Sequence, residues 1–412
     1  MVFTQRNKNA LNFGGMTVLL SHLRWRKFKT RTSTLAAVTT MQHHPLNTSW
    51  LYKLPSAGYP AKTNDKPHHP QYRSRHMKRW ILPVMLLFCR TVCASTNDEY
   101  NQGPVFAIIE ENDLLVKTDR HYTQGIKLSY LGADNHLPLC ISNLSQWLPQ
   151  FGFTNRALKF GIEIGQSIYT PRDVANTRYL PEDRPYAGWL YTGFILQRRG
   201  TTSRDNPVFE NIQLDLGIIG PWSLAKEAQT WVHQLRGFAL PKGWGNQVKN
   251  EPGIDFKYER IWRLQWPHEG SHYFDIMPRG GFNLGNVETS ARIGGMMRFG
   301  FNIPHDFGPP TIDSIHTAEG GWEKSTDAGR WGVYGFLGTQ AREVLHTAFL
   351  DGNLLQSGAH IEKYTFVGQW YGGFVFVLRR VDIGFTYVVR TREYVNQPDL
   401  DAFGSVFLKW RL

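Results

Sequence analysis

The sequence predicts an all-β protein: a transmembrane antiparallel β-barrel of about twelve strands, with a short helix between two strands carrying the site. Three observations support this. Roughly a dozen segments of about ten residues alternate apolar and polar side chains with a period of two. An export-type leader precedes them. Aromatics gather at segment ends, where Trp262, Trp266, Trp331, Trp370, Tyr371 and Trp410 fit the girdles that mark bilayer interfaces.

Charge divides the 412 residues in two. Residues 1–94 hold 15 Lys and Arg against one acid, Asp65, which leaves 31 Lys and Arg and 33 Asp and Glu for residues 95–412. The net charge of +12 is therefore N-terminal. A nearly neutral remainder argues against nucleic acid as a partner, since that affinity is built on phosphate neutralisation. Cys89 and Cys93 also lie early, leaving Cys140 alone in 95–412. One cysteine excludes an intramolecular disulfide framework and a thiolate zinc cluster.

Residues 77–94 read as a secretory signal peptide. Lys78 and Arg79 form the basic start, Trp80 to Cys89 the apolar run, and Val92-Cys93-Ala94 the small-residue cleavage site. Ten apolar residues are too few to span a bilayer, which takes about 20. Residues 1–76 are basic and rich in Ser, Thr, His and Pro, without periodicity. They are expected to be disordered, or to precede the true start at Met77. The barrel is assigned to 95–412 and to the bacterial outer membrane.

Within the barrel, Leu158, Phe160, Ile162 and Ile164 alternate with Lys159, Gly161, Glu163 and Gly165. Ile212, Leu214, Leu216 and Ile218 alternate with Asn211, Gln213, Asp215 and Gly217. Tyr122, Ile126, Leu128 and Tyr130 share one side, opposite Thr123, Gly125, Lys127 and Ser129. Val381, Ile383, Phe385 and Tyr387 repeat the pattern, and Val406, Leu408, Trp410 and Leu412 end the chain on it. A soluble sandwich would alternate in the same way; the leader, the strand number and the aromatic ends favour the membrane barrel.

Residues 223–236 break the period and predict a helix, with Ser223 as N-cap and Gly237 as terminator. Gln229 and His233 stand four apart and share a face. A neutral imidazole is a good general base, and an amide can steady an oxyanion. A second group, Glu111-Asn112-Asp113 followed by Thr118 to Gly125, offers carboxylate, amide and hydroxyl oxygens, hard donors that suit Ca²⁺. The same residues also fit a plain polar hairpin. In a third group, Asp183-Arg184-Pro185-Tyr186-Ala187-Gly188, Arg184 either pairs with Asp183 or faces a phosphorylated substrate. Connections 170–186 and 302–329 are long. No Gly-x-Ser-x-Gly, His-Glu-x-x-His or phosphate-cradling loop is present.

These motifs resemble the lipid A deacylase family, the LpxR-type outer-membrane enzymes. The likeness rests on Glu111-Asn112-Asp113, Thr118 to Gly125, Asp183 to Gly188, Gly220-Pro221, Gln229-x-x-x-His233, Gly243-Trp244-x-x-Gln247 and Thr391-Arg392-Glu393-Tyr394. They fall in the family's order across 100–412. The resemblance implies a twelve-stranded barrel that removes the 3′-linked acyloxyacyl group of lipid A by Ca²⁺-dependent ester hydrolysis. It implies His233 as general base, Asn112, Asp113, Thr123 and Gln229 in the catalytic network, and Asp113 with Thr123 at the metal. Lipopolysaccharide would be the substrate, outer-membrane lipids the surroundings, and the protein a monomer. Arg172 and Arg178 stand in the loop where the family meets the head group, but the local sequence differs; Arg178 and Arg184 are the candidate substrate contacts. Ala239 and Pro241 stand near places where the family has a tyrosine and an acid. Competing readings are a phospholipase or other lipid esterase, and a porin or structural barrel.

Overall fold

A computed structural model describes residues 103–113, 121–149, 151–266, 273–310 and 331–412. The extension 1–76, the leader 77–94, residues 118–120 of the first motif and residues 311–329 of the second long connection lie outside the described residues.

The strands are β1 (Val105–Asn112), β2 (His121–Leu131), β3 (Phe153–Thr170), β4 (Ala187–Thr202), β5 (Pro207–Ile219), β6 (Glu251–Trp262), β7 (Leu264–Trp266), β8 (Phe274–Gly285), β9 (Glu288–Phe301), β10 (Trp331–Thr347), β11 (Phe366–Leu378), β12 (Val381–Arg390) and β13 (Asp401–Arg411). All pair antiparallel with their neighbours, and β1 pairs with β13. β6 and the short β7 lie on either side of Arg263 and both pair with β8, so they fill one place in the wall. With β6 also on β5, the sheet closes into a barrel of twelve strand positions. An even number returns both ends to one rim, where the Leu412 amide donates to the Pro104 carbonyl at 2.9 Å.

The alternation sorts the two faces. Ile126, Leu128, Ile162, Ile164, Leu214 and Leu216 are exposed on the outside, while Lys127, Lys159, Glu163, Gln213 and Asp215 are buried inside. This exposed apolar band around the wall is the surface a bilayer covers. Inside, charges pair: Lys257 with Asp215 at 2.7 Å, Lys127 with Glu163 at 3.8 Å and Lys159 with Asp134 at 3.8 Å.

Two residues leave their expected sides. A bulge at Thr123 shifts the β2–β3 register between Tyr122 and Gln124. Tyr122 therefore turns inward, where it packs with Val388 and Phe403 rather than sharing a side with Ile126. One extra residue reverses the parity of everything beyond it. Tyr371 packs on the interior cluster of Phe336 and Phe407, not in the girdle, because Trp370 takes the outward position beside it.

The two rims differ. At the terminal rim, residues 302–310 fold back into the lumen, burying Ile303, Asp306 and Phe307, with Phe307 stacked on Phe209 at 5.3 Å. Also there, between β2 and β3, lies a helix the alternation did not reveal, α1 (Leu139–Trp147). Pro138 occupies its N-cap position, and it has no capping bond, no acid in its first turn and no base in its last. At the opposite rim the predicted helix appears as α2 (Ala225–Arg236). Gly237 ends it at φ 71°, as expected. Ser223 is not its N-cap: the chain makes a 3₁₀ turn over Pro221–Ser223, Leu224 stands at the cap at φ 59°, and the Ser223 hydroxyl donates to the Gly220 carbonyl at 2.6 Å.

Candidate active site on the outer wall

α2 lies outside the barrel. On β3, Glu163, Gly165 and Ser167 point inward, so Gln166, Ile168 and Thr170 point outward. Yet Ile168 and Thr170 are buried, so something covers the wall there. Ile168 packs with Ala225 and Ala228 of α2 and with Tyr186 and Trp244, and Gln166 donates through Nε2 to the Ser223 carbonyl at 2.6 Å. A Cβ at Gly188 on β4 would collide with Ser223 and Ala225, so glycine permits that close approach. At the other end of the helix, Arg236 meets Glu110 of β1 at 3.8 Å. The helix thus crosses from β4 to β1. Twelve residues rise about 17 Å, which matches three strand spacings of about 4.8 Å.

The face toward the wall carries the buried Gln229 and His233, and the face away exposes Trp231 and Leu235. The exposed side also carries Lys226, Glu227, Gln234 and Arg236, and such a mixture of charges with Trp and Leu suits a helix lying in the membrane interface.

Beneath it, β1 and β2 supply the other expected residues. Asn112 pairs with Gln124, so Asp113 stands next in line with the Thr123 bulge. Asn112, Asp113 and Thr123 are all buried. The bulge brings the Thr123 and Thr170 hydroxyls to 2.6 Å, extending the row onto β3. Buried amide, carboxylate and hydroxyl groups are thus gathered at this end of β1–β3, and the Gln229–His233 helix packs on the adjoining β3–β4 wall.

Neighbouring groups orient the two helix residues. His233 Nδ1 lies 2.6 Å from the Ala239 carbonyl, and the Phe238 ring packs edge-on against the imidazole. A carbonyl only accepts, so Nδ1 carries the hydrogen and Nε2 keeps the lone pair. Trp244 Nε1 donates to Gln229 Oε1 at 2.8 Å. An indole only donates, which fixes the amide orientation. Gln229 Nε2 is then buried without a hydrogen-bond partner. The sequence motifs contained Trp244, but not its role, and the Thr170 contribution depends on a bulge that no pattern announced.

The arginines divide. Arg178 is exposed in the 171–186 connection, whose Thr177 carbonyl accepts from Asn246 at 3.0 Å beside Trp244. Arg184 is not at the outer wall. It is buried, lies over the inward Tyr169 ring at 4.8 Å and pairs with Glu393 at 3.3 Å. Nor does its guanidinium take Asp183 as partner. Asp183 Oδ1 instead accepts from the Arg184 backbone N–H at 2.7 Å and from the Tyr394 hydroxyl at 2.6 Å. Burial and that bond to Asp183 push the Tyr394 hydroxyl well above its ordinary range. Arg184 so placed is an internal brace.

Residues 81–412 match the family model described as outer membrane protein LpxR. The chain belongs to the LpxR outer-membrane protein family. Among solved structures it is similar to LpxR from Salmonella typhimurium, at 19% identity and a TM-score of 0.59, over 75% of this chain and all of that one. The β domain of the Bordetella autotransporter BrkA is a looser likeness, at 10% identity and a TM-score of 0.35, over 76% of this chain and all of that one. Compared with the curated proteins, the chain matches none. As an LpxR-family barrel the protein resides in the outer membrane, its apolar band in the bilayer.

Proposed function

We propose that this protein hydrolyses the 3′-linked acyloxyacyl ester of lipid A in the outer membrane, with His233 as general base. The observation that carries the reading is the placement of His233. It is buried between a helix on the outer wall and the barrel, with Nδ1 engaged by a backbone carbonyl and Nε2 left as the basic nitrogen. A base for a soluble substrate has no reason to stand on the membrane side of a barrel. An ester in a bilayer lipid reaches it from that side.

Nε2 takes a proton from water, and the resulting hydroxide attacks the ester carbonyl. The tetrahedral intermediate collapses, the sugar oxygen leaves, and the imidazolium returns the proton to it. Gln229 Nε2, buried without a hydrogen-bond partner, is free to donate to the developing oxyanion. Arg178, exposed at the rim, is suited to a lipid A phosphate.

The polar group on β1–β3 fits Ca²⁺ in donor chemistry, since Asp113 and the Thr123 hydroxyl are buried oxygen donors. Among the described residues no three His, Cys, Asp or Glu side chains converge. Backbone carbonyls, water or substrate oxygens would therefore complete a shell held by Asp113 and Thr123. Bound there, Ca²⁺ would polarise the ester carbonyl as a Lewis acid.

Mass spectrometry of lipid A incubated with the purified protein, with Ca²⁺ or with chelator, tests the proposal. Loss of one acyloxyacyl unit only with Ca²⁺ supports it. Unchanged lipid A alongside cleaved glycerophospholipid would transfer the chemistry to a phospholipase. No turnover of either lipid by a folded barrel would end the enzyme reading.

A further inference from the structure

A second covered place on the outer wall lies at the opposite rim from α2. Arg198 of β4, Glu210 of β5 and Arg260 of β6 stand side by side in one cross-strand row. Asn211 and Glu259 are their inward neighbours, so all three point to the lipid side. All three are nonetheless buried, Glu210 completely. Arg198 pairs with Glu210, Arg260 lies 3.7 Å from it, and the Tyr258 hydroxyl donates to it at 2.6 Å.

Charges on a membrane-facing wall are costly unless protein covers them. The cover is the chain that follows α1. Arg198 donates to the Pro149 carbonyl and Arg260 to the Phe151 carbonyl, each at 2.9 Å. These bonds pin the foot of the α1 segment across three strands.

α1 itself stands off the wall. None of its residues is buried, and Leu139, Leu144 and Trp147 are exposed. Between the helix and the barrel lies an apolar cavity of about 640 Å³. Ile141 and Leu144 line it on the helix side, with the in-register row of Phe194, Leu214 and Phe256 on the wall. An apolar gap of this size, open to water, would favour collapse of the helix onto the wall. In an outer-membrane barrel the gap opens instead onto hydrocarbon and is continuous with the lipid-facing band.

We infer that α1 is a clasp for one bilayer lipid, and that an acyl chain of a glycerophospholipid occupies the cavity. Choosing this class rests on the proposed function, which assigns lipid A to the leaflet at the α2 rim and leaves the other leaflet to phospholipid. The chain fills the gap that the pinned segment holds open, while α1 lies in the interface. The Arg198–Glu210–Arg260 row holds the clasp and is not the ligand's partner.

Native mass spectrometry of the protein released from nanodiscs containing phosphatidylethanolamine, phosphatidylglycerol and lipid A reads this directly. One phospholipid should stay on the wild-type chain after annular lipid is stripped. Leu144→Trp and Leu214→Trp fill the cavity from either side and should reduce retention about tenfold or more, since overpacking an apolar site costs about 1–3 kcal/mol. Ile383→Trp, on the lipid-facing side of β12, should retain the lipid as wild type does. Equal retention in all three variants, no retention by wild type, or retained lipid A would each overturn the inference. Deacylation measured on the same samples should be unchanged in the cavity variants. Its absence in wild type would count against the proposed function and leave the lipid result standing.

Discussion

His233 Nδ1 and the Ala239 carbonyl stand 2.6 Å apart, with the Phe238 amide donating to the His233 carbonyl at 2.9 Å between them. The chain turns back at Gly237 and orients the imidazole with its own backbone. No acidic side chain is needed for the tautomer that leaves Nε2 basic.

That arrangement gives the first prediction. His233→Ala should lower kcat by about 10²–10⁴ while the barrel still folds, because removing a general base costs about that much and the imidazole contributes nothing to strand pairing. Ala239→Ser, which keeps the carbonyl, should leave kcat within about threefold, well inside what loss of a general base costs. Lipid A turnover with a heat-modifiability check on folding decides it. Full activity in His233→Ala would remove the histidine from the mechanism.

Gln229 and Trp244 separate a contacting role from a positioning one. Gln229→Ala should cost about 10²–10³ in kcat if its N–H meets the oxyanion. Trp244→Phe removes the bond that fixes the amide while keeping an aromatic ring against Ile168 and Tyr186, and a neutral hydrogen bond is worth about 0.5–1.5 kcal/mol. It should therefore lower kcat by about three- to tenfold without moving KM. A KM effect in place of a kcat effect would assign Gln229 to substrate binding instead.

Much of this fold was readable because strand alternation reports side directly. Lys159 and Glu163, or Ile162 and Ile164, stand where their phase puts them. The bulge at Thr123 defeats that logic: one inserted residue turns Tyr122 inward and brings Thr123 to Thr170, yet it leaves no compositional trace. The Arg184–Glu393 pair joins residues 209 apart in sequence, so proximity to Asp183 was a poor guide. α1 lacks caps and end charges, the usual signs of a helix. One signal was present but easily missed: Glu210 falls in the apolar phase of β5, and a charge out of phase marks covered wall.

Asp113 and Thr123 carry the metal prediction. Asp113→Ala should raise the Ca²⁺ concentration needed for half-maximal turnover by about tenfold or more, because loss of a hard carboxylate donor weakens a Ca²⁺ site most. Thr123→Val should raise it less, since a hydroxyl is a neutral donor. Calcium titrations of lipid A hydrolysis measure both. Unchanged calcium dependence in both variants would place the ion elsewhere.

Arg178 should act on affinity. A charge-assisted contact to phosphate contributes about 1.5–3 kcal/mol, so Arg178→Ala should raise KM for bisphosphorylated lipid A roughly ten- to hundredfold. The same variant should be indifferent on a substrate lacking the phosphates. Equal losses on both substrates would indicate a structural role for the 171–186 connection.

The lumen at the terminal rim gives the last prediction. Arg298 donates to both oxygens of Asp275, at 2.9 and 2.7 Å, and also pairs with Asp306, which Lys409 reaches at 3.1 Å. Residues 302–310 are thereby tied across the lumen, which argues for a sealed barrel. Burial alone would push the Asp306 carboxyl up, but Lys409 and Arg298 outweigh it and hold the group well below its ordinary range. Because the folded value lies below the unfolded one of about 3.9, Asp306 stabilises the native state fully above about pH 4. That contribution is lost as pH falls further. Asp306→Ala should cost about 3 kcal/mol at pH 7, the low end for breaking a buried pair, because Asp275 and Asp382 still hold the cations. The gap between the denaturation midpoints of wild type and variant should narrow progressively as pH falls from about 4 to about 2, and only the variant should conduct in planar bilayers at neutral pH. A constant gap between the two midpoints across that range would mean that Asp306 holds the plug by shape and not by charge.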